Sequence, residues 1–129
     1  AYVRGGSWST AGVNGFLLEN TGNVPVNVSI NATQNSTNII NGTNPQFRYQ
    51  VRVPTGNSTA CEAGTQSSQT EFLGRTSRQG VCNIFNYTAQ RDSIRIDINI
   101  TIPDDALLGS KNITIEFNAC DISSSNCQA

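Results

Sequence analysis

Apolar side chains recur at every second position in four runs of this 129-residue chain. In SIRIDINITI, Ile94, Ile96, Ile98, Ile100 and Ile102 fall on one side of an extended backbone, and Arg95, Asp97, Asn99 and Thr101 on the other. QFRYQVRV alternates Phe47, Tyr49, Val51 and Val53 with Arg48, Gln50 and Arg52. PVNVSINAT sets Val26, Val28, Ile30 and Ala32 against Asn27, Ser29, Asn31 and Thr33, and NITIEF sets Ile113, Ile115 and Phe117 against Asn112, Thr114 and Glu116. Period two is the mark of a half-buried strand; GFLLEN and NIFNYT read as shorter strands, and no window carries the 3.6-residue period of an amphipathic helix. ENTGNVP, VPTGNS and PDDALLG supply turn chemistry between the runs, and the polar stretch from Gly56 to Gly80 reads as a long loop. Strands with one apolar and one polar face predict an all-β fold, a two-sheet antiparallel β-sandwich of jelly-roll or Ig-like type. Residues 15–129 form that single domain, and residues 1–14 precede it as an arm.

Composition narrows the setting. Eight Lys+Arg against nine Asp+Glu leave no electrostatic pull toward nucleic acid or an anionic membrane. No apolar run approaches the ~20 residues of a membrane span. The chain opens AYVRGG without Met, which reads as a mature end left after leader removal. Cys61, Cys82, Cys120 and Cys127 allow three full pairings; without CxxC or any His they read as disulfides rather than zinc ligands. Pairing Cys61 with Cys82 and Cys120 with Cys127 is preferred, because each closes a local loop, and disulfides place the chain in an oxidising compartment or a hyperthermophile's cell.

Asn-x-Ser/Thr triplets begin at Asn27, Asn31, Asn35, Asn41, Asn57, Asn86, Asn99 and Asn112, whereas 16 Asn and 26 Ser+Thr predict roughly three by chance. In a strand the Asn and the hydroxyl residue share one face and the middle residue takes the other. Val28, Ala32, Tyr87, Ile100 and Ile113 hold middle positions, so the core keeps its apolar residue while a sugar leaves outward. Asn27 and Asn31 are expected to point the same way, roughly 13 Å apart by strand rise. The expected covalent partners are therefore N-glycans on an extracellular surface.

Catalytic chemistry is sparse. Without histidine there is no imidazole base, no Ser–His or Cys–His nucleophile and no His-ligated metal. Asp104 and Asp105 follow Pro103 in a turn, where solvated turn-formers outweigh a calcium site lacking any DxDxDG-like loop. No catalytic residue, metal ligand or cofactor site is assigned, and the chain is expected not to be an enzyme. The arm, with Ala1, Tyr2, Val3, Arg4 and Trp8, reads either as a loose tail or first strand of its own sandwich, or as a strand that adds to another copy. Head-to-tail donation of that kind makes an open filament unless the rotation closes.

AYVRGG, GFLLENTGNVPVNVSINAT and IPDDALLGSKNITIEFNA together resemble the TasA/camelysin-type biofilm-fibre subunits, closest in character to the archaeal bundling pilins of hyperthermophiles. Its two longer phrases, Phe16 to Thr33 and Pro103 to Phe117, span about a quarter of the chain and specify the sandwich better than the filament. The resemblance implies a secreted jelly-roll subunit polymerised by donor-strand complementation into bundled filaments of a biofilm matrix. On this chain the donor runs from Ala1 to about Ser9, with Tyr2 and Trp8 as buried anchors. The metalloprotease activity considered for camelysin-like relatives does not carry over to a chain without His. A monomeric cell-surface binding or adhesion module is the alternative from another class.

Overall fold

The computed structural model describes residues 7–9, 15–75, 77–107, 109–125 and 127. Two antiparallel sheets pack face to face, as the alternation predicts. Strand β8 (Ser93–Thr101) is central in the first sheet. It pairs with β4 (Gln46–Arg52) on one side and on the other with β1 (Ser7–Ser9) and β2 (Phe16–Glu19), which follow one another along the same edge. A two-residue strand, β6 (Thr70–Glu71), closes the far edge beyond β4. In the second sheet β3 (Val26–Ala32) lies between β7 (Gln79–Phe85) and β9 (Ile115–Asp121), with β5 (Cys61–Ala63) outside β7.

Counting β1 and β2 as one edge, each strand lies in the opposite sheet from the one before it, and no two successive strands pair. That winding is of jelly-roll type. It also fixes two ends. β8 finishes at an upper end, where β3 has stopped and β4 begins; β4, β7 and β9 finish at a lower end. The upper loops meet where Thr43 bonds Asp105 and where the Arg75 N–H donates to the Thr33 carbonyl. The lower ones meet where Asn20 N–H reaches Asp92 and Ile122 N–H reaches Pro25.

The core is the inward face of the alternating strands. Ile94, Ile96 and Ile98 of β8 are buried with Phe47, Tyr49 and Val51 of β4, opposite Val28, Ile30 and Ala32 of β3 and Val81 and Phe85 of β7. Each buried Ile, Val or Phe side chain contributes about 1.5–3 kcal/mol by leaving water. Phe72 lies against both Phe47 and Tyr49, ring centroids 4.4 and 5.1 Å away, and closes one side of the layer. The Tyr49 hydroxyl donates to the Gly80 carbonyl at 2.9 Å, so a polar tip from the first sheet finds its acceptor in the second.

Three local expectations change. The stretch from Gly56 to Gly80 holds β5 and β6 rather than loop alone, too short to show a period. One helical turn, α1 (Ser36–Ile39), sits in the sequon-rich stretch; Asn35 caps it, its side-chain oxygen accepting from Asn38 N–H at 2.9 Å, and Ile39 enters the core. The run NIFNYT gives way to a strand starting at Gln79 and ending at Phe85.

Burial pushes the Tyr49 phenol up to about 12, because phenolate is the form that loses water. The raised value favours the neutral form, so this contribution is complete below pH 10 and is lost as pH rises through about 12. Urea unfolding followed from pH 9 to 12 is expected to show an alkaline loss of stability that Tyr49→Phe flattens, while Tyr49→Phe costs about 1 kcal/mol at neutral pH.

Candidate functional site

The outer side of β8 is where the arm meets the domain. Ser7, Trp8 and Ser9 lie opposite Thr101, Ile100 and Asn99; Phe16 resumes opposite Ile96. Six residues of sequence, 10–15, thus correspond to only two positions of β8, Ile98 and Asp97. Ala1, Tyr2, Val3 and Arg4 of the expected donor lie outside the described residues, and Trp8 is placed by its backbone in β1.

Asp97 departs from the alternation. It sits on the outward side of β8 yet is 3 % exposed, because Arg95, Arg52 and Gly15 cover it. Arg95 donates through Nε at 3.0 Å and Nη2 at 3.3 Å, and Arg52 Nε lies 2.6 Å from the second oxygen. A Cβ at Gly15 would stand 2.5 Å from Asp97 Oδ1 and 2.8 Å from the Ile96 carbonyl, so only glycine lets the chain enter β2 across this cluster. The sequence shows an aspartate between isoleucines; nothing in it shows that Arg52, 45 residues earlier, would stand beside it.

The eight sequons separate by environment. Asn112 and Thr114 are both exposed while Ile113 between them packs on the core, the outward arrangement the alternation predicts. Asn41 is exposed, but the Thr43 hydroxyl donates to Asp105 at 2.7 Å, which together with the Thr43 N–H holds the Asp105 carboxyl below its ordinary value. Asn35, Asn57 and Asn99 are half-buried: Asn57 accepts from Asp92 N–H, and Thr101, the hydroxyl residue of the Asn99 triplet, donates to Gln46. Asn27 is half-buried and its partner Ser29 is fully enclosed.

Asn31 and Asn86 do not point to water. Asn31 is 7 % exposed between Glu116 and Asn118 of β9, donating to the first at 3.5 Å and accepting from the second at 2.9 Å, so the expected side-by-side pair with Asn27 is not formed. Asn86 donates to the Thr59 carbonyl at 2.7 Å and to Glu62 at 3.1 Å, and Glu62 in turn pairs with Arg91. These carboxamides hold strands and loops together. The alternation rule failed at Asn31 because β3 is flanked on both sides and its polar neighbours on β9 close over it.

Cys61–Cys82 ties β5 to β7, and Cys120–Cys127 folds the segment after β9 back on that strand's end. Two disulfides fit an oxidising setting. Among the described residues no helix is long and apolar enough to cross a membrane, and no group of three or more Cys, Asp or Glu is placed to hold a metal ion.

Asp97→Ala removes a buried carboxylate shared by two guanidinium groups. Because both arginines keep some water, the expected cost is about 2–3 kcal/mol in chemical denaturation rather than the larger figure for a fully enclosed pair. Gly15→Ala should lower stability as well, with limited proteolysis reporting whether the chain near β1 and β2 opens. No protein-family description, curated protein or solved structure matches the chain.

Proposed function

We propose that this chain is a non-enzymatic structural subunit of an extracellular filament, N-glycosylated and polymerised head to tail by exchange of its amino-terminal strand. The observation that carries this reading is the register along β8. β1 fills an edge position that β2 does not need, and six residues of sequence join them across two strand positions. The slot beside Asn99–Thr101 can therefore take the same segment of a neighbour while β2 stays in place. β1 begins at the upper end and the segment after β9 leaves at the lower one, so a donated strand joins unlike surfaces. Such a contact propagates unless its rotation closes a ring. Sugars on outward asparagines would disfavour flat docking of the sheet faces, leaving the slot along β8 for assembly.

A specific observation favours the alternative of a monomeric secreted binding or adhesion module: Ser7–Ser9 already pairs with the chain's own β8. Concentration separates the two. An arm that can fold back competes with a neighbour's arm at an effective concentration of about millimolar.

Deleting Ala1 to Ser9 is expected to abolish polymers, seen by electron microscopy and size-exclusion chromatography at high protein concentration, while circular dichroism retains the β signature. Filaments from the truncated chain would refute strand exchange, and a sharp monomer peak from the full chain at millimolar concentration would favour the binding module.

A further inference from the structure

An open sheet edge offers unpaired backbone groups to any passing strand, and proteins blunt such edges by shortness, irregularity, charge or cover. Three of the four edges here are blunted by geometry. β6 has two residues; β5 has three, a register shift against β7 and the Cys61–Cys82 tie. Along the β1–β2 edge the described pairing covers Ser7–Ser9 and Phe16–Glu19, with six residues of sequence between them against two positions of β8. β9 differs. It runs seven residues in unbroken register with β3 and contains neither Pro nor Lys; its two carboxylates, Glu116 and Asp121, accept from Asn31 and Ser123, and among the described residues no strand pairs with its other side.

The lower end of β9 is covered by the turn after Asp121 and the Cys120–Cys127 closure. At the upper end the pairing runs on to Thr114, whose N–H and carbonyl bond Thr33, and two residues earlier stands exposed Asn112. We propose that a glycan on Asn112 is the device that blunts the upper end of the β9 edge and keeps copies of this chain from pairing edge to edge. The site rests on the glycosylated reading above but not on the filament. Its chemistry joins Asn112 Nδ2 to the anomeric carbon of a phosphate-activated oligosaccharide. The anomeric C–O bond breaks, the phosphate leaves with the electron pair, and the amide proton passes to solvent.

Asn112 is suited to this because its own carboxamide and Thr114 are both exposed, unlike Asn31 and Asn86, whose carboxamides are committed to the fold. The middle residue, Ile113, packs against the core and so holds the triplet three residues ahead of β9.

The test uses the full-length glycosylated chain, with peptide mass spectrometry reporting occupancy at Asn112. Asn112→Gln and Thr114→Val both remove the acceptor; Thr114→Ser preserves it, and Thr59→Ala removes the Asn57 acceptor as a control. The proposal expects the first two to leave the supernatant as laterally associated sheets that bind thioflavin T, with unchanged thermal melting of the soluble fraction. Thr114→Ser and Thr59→Ala should stay dispersed. Adding Ala119→Lys, a cation on the exposed edge strand, should restore Asn112→Gln to the supernatant. A sugar-free Asn112→Gln or Thr114→Val chain as dispersed as the parent overturns the proposal, as does a dispersed parent unmodified at Asn112. If the parent forms no filaments but the variants still aggregate, the filament reading falls and the edge proposal stands.

Discussion

The inward isoleucines of β8 are the constraint on which the rest of this structure depends. Ile94 and Ile96 are wholly enclosed and Ile98 nearly so, and the strand that carries them has neighbours on both sides. β4 reads its register from β8 over seven positions, and both segments of the opposite edge do the same. A slip of one residue would turn every isoleucine to water and every arginine and asparagine inward, so the buried face fixes the register. The slot for the arm is a consequence of that register and not a separate device.

Alternation made four of the five long strands and the two-layer architecture legible, because burial of one face repeats at the period of the backbone itself; β7 showed only in the short run NIFNYT. Pairing was not legible. No successive strands form a hairpin, so the turn chemistry at ENTGNVP, VPTGNS and PDDALLG marks crossings between sheets, not which strands meet. The short strands Cys61–Ala63 and Thr70–Glu71 have too few residues to display a period, and the single turn at Ser36–Ile39 is set by the Asn35 cap.

At the site, the sequence located the acceptor triplets and could not tell which asparagines face water. Asn112 stays exposed because it precedes β9 by three positions, while Ile113 beside it packs on the core. Asn31 violates the alternation because Glu116 and Asn118 stand beside it on that same edge strand, and Asp97 violates it because Arg52, Arg95 and Gly15 close over it. Apart from Arg95, the covering residues lie far away in sequence. Polar burial is a property of neighbours across the sheet, whereas apolar periodicity is a property of the strand alone.

The chain order places a kinetic condition on strand exchange. The arm is the first segment in this sequence and its partner β8 the last strand but one, so the slot comes into being only after most of the sheet framework can form. Pairings between segments so distant in sequence are slow because loop closure precedes the contacts that reward it. Until β8 is in place, an arm has no sheet edge of its own to return to. A completed neighbour whose slot has opened is then a competitor on equal chemical terms, since the exchanged and retained pairings present the same residues to the same strand. What decides between them is the effective concentration set by the six residues of sequence between β1 and β2 against the local concentration of copies, about millimolar for a short linker. Under the proposed exchange, assembly would be favoured where copies are locally dense, and a dilute chain would close on itself.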